Sequence, residues 1–178
     1  MAKVFIFGSK KVISDLQPKL KKLEEEIKCI EKMENKVEAI IRLFQVISPL
    51  QDAGGFEKEI AALRKKGRRK RKEQVEALEN LQVHVRRAGR GGINRSKEGE
   101  EVTPDNVYLG DVYGLFTKTA RFWLSQKENM KKELRPEISE NEKSPISNWW
   151  LIHDYQCDNF VSSHTSGILK QIKVLTAA

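Results

Sequence analysis

A chain of 178 residues, 39% hydrophobic and 33% charged, is long enough to bury a core, and its apolar residues are too regularly patterned for a disordered tail. Its 33 Lys and Arg against 25 Asp and Glu leave a formal net charge of +8, which disfavours cationic partners and favours anionic ones. No apolar stretch approaches the roughly 18 residues of a transmembrane helix, so a membrane-spanning class is excluded from consideration.

Taken in chain order, residues 4–7 form a short apolar run that we expect to be extended, the one short N-terminal strand or docking arm of the chain. It is far shorter than a secretory h-region, so a cytoplasmic location is expected. Gly8-Ser9-Lys10 lacks the first glycine and the spacing of a phosphate loop. Over residues 16–47, Leu16, Leu20, Leu23, Ile27, Ile30, Val37, Ile41 and Phe44 recur at steps of three and four, with one polar break at Glu34. That spacing predicts one amphipathic helix of about eight turns, with Pro18 in its first turn. Ser48-Pro49 and Gly54-Gly55 are expected to end it.

Phe56, Ile60 and Leu63 restart a helical pattern, which lapses over residues 64–72 and resumes at Val75, Leu78, Leu81 and Val85. Residues 84–95 are basic and glycine-rich and read as a linker. Thr103-Pro104-Asp105 supplies a cap, a first-turn proline and an acid for a helix whose face carries Leu109, Val112, Tyr113, Phe116, Ala120, Trp123 and Leu134. Pro136 is expected to close that helix, with a polar loop over residues 137–147. Ser147 could cap a shorter helix holding Trp149, Trp150, Ile152, Tyr155 and Phe160. The run Ser162-Ser163-His164-Thr165-Ser166-Gly167 is expected to break it before a terminal helix with Ile168, Leu169, Ile172 and Leu175. The expected architecture is therefore all-α. A long N-terminal helical hairpin (residues 1–88) is followed by a linker (89–103) and a C-terminal helical bundle (104–178), which could form one domain with the first.

Charge is the sharpest feature. Residues 64–95 hold twelve Lys or Arg and three Glu, a net of +9, while the rest of the chain holds 21 Lys or Arg against 22 Asp or Glu. Within residues 64–72, eight cations cannot be desolvated together, so they must stay in water. Arg64, Lys65, Lys66, Arg68, Arg69, Lys70, Arg71, Lys72, Arg86, Arg87, Arg90 and Arg95 are the candidate polyanion contacts. No aromatic stands among residues 64–72 for base stacking, which points to phosphate contact without base readout. The same run resembles a nuclear localisation stretch, and a basic run is also commonly just a solvated face.

The remaining candidates are weaker. His153 and Cys157 are four apart and share a helix face, with His164 a further seven along. A structural zinc site needs four ligands with paired spacing, and only His84 is left to complete the histidines. We therefore expect neither metal nor cofactor. His153-Asp154 looks like the paired metal ligands of helical phosphohydrolases, but the chain has no Asp after Asp158 to complete such a set. A small hydrolase using Cys157 with His153 or His164 is the outlying reading. Cys29 and Cys157 are expected as reduced thiols. Trp149 and Trp150 point about 100° apart on a helix, so both rarely enter one core; packing at the core's edge is the first expectation and a partner contact the second. The function these residues favour is a non-enzymatic binding protein for a polyanion, nucleic acid first. The rival is a helical protein–protein adaptor or a bacterial or viral host-directed factor, whose basic run is an address or a membrane-surface contact.

Overall fold

Between residues 37 and 47 the apolar side chains leave only a narrow polar strip, Glu38, Arg42 and Gln45, continued by Pro49. A helix of that composition needs neighbours on nearly every side. The computed structural model describes residues 2–67, 72–90, 99–109, 119–133 and 145–177. Among them it forms six helices: α1 (Ala2–Glu31), α2 (Lys36–Asp52), α3 (Glu57–Gly67), α4 (Lys72–Arg90), α5 (Ala120–Glu133) and α6 (Pro145–Thr176). The chain is all-α, and the extended pairing among the described residues is one isolated antiparallel bridge between Tyr108 and Thr119. Helix α2 is in contact with α1, α4, α5 and α6. Its Val37, Ile40, Leu43 and Ile47 are fully buried and Phe44 nearly so. One apolar cluster joins them to Leu20 and Ile27 of α1, Leu63 of α3, Leu78 and Leu81 of α4, Trp123 of α5, and Ile168 and Ile172 of α6.

The expected single helix over residues 16–47 is two helices. Lys32 N–H bonds Cys29 C=O and Met33 N–H bonds Ile30 C=O, tightening the end of α1. Asn35 then starts α2, its side-chain oxygen accepting from Val37 N at 3.1 Å and Glu38 N at 3.2 Å. Despite the polar break at Glu34, the apolar register carries across this corner because Ile30, Met33 and Val37 keep steps of three and four. The signal against one helix was Asn35 with Glu38 three residues later, an N-cap pattern.

Other boundaries move too. Residues 4–7 are not a strand; they lie within α1, since extending a formed helix costs little. Pro18 is interior to α1, not in its first turn. The carbonyl its missing N–H leaves free is that of Ser14, at an exposed position on the same face. Likewise α2 continues through Pro49, also exposed, and ends at Asp52. Helix α4 reaches Arg90, so the first part of the expected linker is helical. The segment that follows is tied back to α2: Gly99 N–H bonds Asp52 Oδ2 at 3.2 Å and Gln45 Nε2 bonds Val102 C=O at 2.9 Å.

Thr103-Pro104-Asp105 does not open a helix. Thr103 N–H donates to Asn106 Oδ1 at 2.7 Å and Asn106 N–H donates to Thr103 C=O, closing a turn. Val107 and Leu109 are buried after it, two apart as in extended chain, and the next helix among the described residues is α5, from Ala120. Ala120 N–H bonds Val107 C=O, which seats α5 on this turn. Arg121 adds a two-pronged pair to Asp105, and its hydrogen bond holds the Asp105 carboxyl below its ordinary value. Val112, Tyr113, Phe116, Leu134, Pro136 and most of the polar loop lie outside the described residues.

Helix α6 starts at Pro145 and passes without a break through the serine-rich run. Thr165 Oγ1 bonds Val161 C=O at 2.8 Å and Ser166 Oγ bonds Ser162 C=O at 2.7 Å, so these hydroxyls turn back onto the helix. Val161, Thr165, Ile168 and Ile172 are buried on one face, and that burial outweighs the weak helix propensity of the run.

Two substitutions measure this picture by urea denaturation. Asn35→Ala is expected to cost about 1 kcal/mol, the worth of one N-cap. Phe44→Ala is expected to cost about 3–5 kcal/mol, since α2 is covered from several sides. A smaller loss at Phe44 than at Asn35 would mean that α2 is not the buried centre of the molecule.

Candidate polyanion interface

Helices α3 and α4 run antiparallel, and three contacts define their register. Near the start of α3, Phe56 N–H donates to Gln82 Oε1 at 2.8 Å, a buried bond. Arg86 Nη2 pairs with Glu57 Oε1 on one side of it. Further along, Arg64 Nη2 pairs with Glu79 Oε1 at 2.6 Å. The turn before α3 is made by Gly54 and Gly55 at φ 87° and 62°, where only glycine is unstrained. A side chain on Gly55 would also collide with the Gln82 carboxamide, whereas Gly54 faces open space.

This register sorts the basic residues. Among the described side chains, Leu63 is the last buried one of α3 and Ala77 the first of α4. Arg64 and Lys65 are exposed at the end of α3, Lys66 follows them in the helix, and Lys72 is exposed at the start of α4. Arg68, Arg69, Lys70 and Arg71 lie outside the described residues. Arg86, Arg87 and Arg90 stand at the other end of α4; Arg86 is exposed. Lys72 and Arg86 are separated by about 21 Å of helix rise, close to four turns, so they lie near one face. Arg95 lies outside the described residues. The stretch that looks continuous in sequence is thus two groups at opposite ends of a helix pair. Glu57 and Glu79, which partner two of its arginines, were not legible from spacing, because each sits on the neighbouring helix.

The other candidates fall on α1, α4 and α6. Cys157 is fully buried, and Cys29 is exposed on α1. His164 is buried on α6 and meets His84 of α4, Nδ1 to Nδ1 at 3.4 Å. His153, Trp149 and Trp150 belong to the first turns of α6. Among the described residues no group of three or more His, Cys, Asp or Glu could hold a metal ion. Among them, too, no helix is long and apolar enough to cross a membrane. Among the described residues, one cleft between α3 and α4 is lined by Glu57, Arg64, Glu79, Val83 and Arg86.

No family model, no curated protein and no solved structure matches the chain.

The glycine pair tests how this site is held. Gly54→Ala should cost about 1 kcal/mol for its left-handed backbone alone. Gly55→Ala should cost clearly more, about 2 kcal/mol or above, because Gln82 must also give up its bond to Phe56. Equal losses in urea denaturation would show that the Gln82 contact does not tie α3 to α4.

Proposed function

We propose that the chain is a non-enzymatic binding protein that grips a polyanion, most simply nucleic acid, through the basic residues between α3 and α4. The observation that carries this reading is the placement of eight cations in residues 64–72, after the last buried side chain described in α3 and before the first in α4. Cations so placed add nothing to the core and repel one another, so a partner that neutralises them offsets a standing electrostatic cost. Such a partner gains affinity from counterion release and gives no base readout. Arg86, Arg87 and Arg90 offer a second contact. A duplex with its axis along α4 would carry roughly six phosphates of each strand over about 21 Å.

Replacing Arg68, Arg69, Lys70, Arg71 and Lys72 with Gln should leave thermal unfolding nearly unchanged, since five adjacent cations cost too much to desolvate to be part of a core. Affinity for generic DNA or RNA should fall sharply. If the five side chains neutralise about five phosphates, the slope of log affinity against log salt should shrink by roughly four. Sequence preference should hardly move. Wild-type protein that fails to bind nucleic acid at low salt would overturn the reading and put the adaptor role in its place.

A further inference from the structure

Two imidazoles meet where α4 packs on α6. His84 and His164 are 80 residues apart in sequence, yet their Nδ1 atoms lie 3.4 Å from each other. The rings are nearly perpendicular, at 82°, with centroids 5.4 Å apart. His164 is only 7% exposed. Its ring leans on Phe160 at 4.6 Å between centroids, and Phe160 meets Phe44 of α2 edge-on. The His84 ring occupies the space that a side chain at position 167 would need, and that residue is Gly167. The contact is therefore built from both sides, by a bare helix position on α6 and a ring on α4.

A bond between two Nδ1 atoms requires one to carry a proton and the other to be bare. Opposite tautomers of the neutral rings satisfy it, and so does a pair with one positive charge. Two imidazolium rings cannot. Both Nδ1 atoms then carry protons, the bond is lost, and two charges face each other beside Phe160, one ring buried and the other half-buried.

We propose that His84 and His164 form a pH-sensitive clasp between α4 and α6, closed while the pair carries at most one positive charge and opened by a second. Among the described residues, the elements packed on the pair carry both cations and acids. Arg86, two residues beyond His84 on α4, pairs with Glu57 of α3. On α6, Cys157 is buried two turns before His164, Lys170 follows Gly167 by one turn, and Asp158 pairs with Lys36 of α2 at 3.6 Å. Toward α2 the pair meets Phe44 through Phe160, and the charged residues Glu38 and Arg42 are exposed. From α1 the described side chains buried in the shared core are apolar, Ile27 and Leu20 among them.

The direction of the effect follows from proton counting. The unfolded chain accepts both protons near the ordinary imidazole value of about 6.5. The folded pair resists the second, so the unfolded state binds more protons as pH falls. Stability present above about pH 6.5 is lost below it, and a difference of one proton raises the unfolding constant up to about tenfold per pH unit.

The test uses the full chain. Urea unfolding is followed from about pH 8 to about pH 5, the range in which histidine titrates, for wild type, His84→Gln, His164→Gln and His153→Gln. Below about pH 6.5 the wild-type unfolding constant should climb toward tenfold per pH unit more steeply than in His84→Gln or His164→Gln. His153→Gln should follow wild type. Wild-type and His84→Gln profiles that superimpose would overturn the clasp. A second measurement needs no variant. In a histidine NMR titration of the wild type, the ring signals of residues 84 and 164 should both report the same two separated steps. Independent single-step titration of each ring would overturn the proposal by itself.

Discussion

Helix α2 cannot exist alone in water, and most of the architecture follows from that. Its apolar side chains leave only the strip through Glu38, Arg42, Gln45 and Pro49 for solvent. Four helices share the task of covering the rest. Each of them is itself amphipathic and needs cover for one face, so the burial is mutual. A fully buried Leu or Phe contributes about 1.5–3 kcal/mol. The core therefore sets helix positions, and the polar contacts refine them. Asn35 turns the chain so that α2 folds back along α1, where Lys22 and Glu26 line the same cleft as Gln45 and Pro49.

The α3–α4 pair illustrates that order of strength. Its two ion pairs are exposed, and exposed pairs contribute little, about 0–1 kcal/mol each. Gln82 is buried, and leaving its carboxamide or the Phe56 amide unpaired would cost about 1–3 kcal/mol. The apolar residues Ile60, Leu63, Leu78 and Leu81, with Gln82, hold the register, and Arg64 and Arg86 find their carboxylates as a consequence. Cations with no core to join are left at the ends of the pair.

Local cues were read well where they were strong and badly where they competed. Gly54-Gly55 did turn the chain, because a left-handed backbone favours glycine strongly. Ser162 to Gly167 carried equally plain breaker residues, yet α6 runs through them. There the hydroxyls bond carbonyls one turn back, and Gly167 is needed for the approach of α4 instead of for a turn. At Thr103 the cap signal was real, but Asn106 captured the Thr103 amide and closed a turn. At Pro18 and Pro49 the residue that usually ends a helix sits on an exposed face, where the lost bond opens to water.

What the sequence by itself determined is the class and the charge distribution: helical periodicity over most of the chain, a core made of the residues at those positions, and eight cations that no core could accept. Those properties are local, since each is decided within a turn or two of helix or by composition. The tertiary structure decided which faces meet. It divided one basic stretch into two ends of α4, gave Arg64 and Arg86 their partners across the helix pair, and set His84 against His164 over the bare surface of Gly167. No spacing rule links residues 80 positions apart. Their contact depends on how helices pack around α2, which is a property of the whole core.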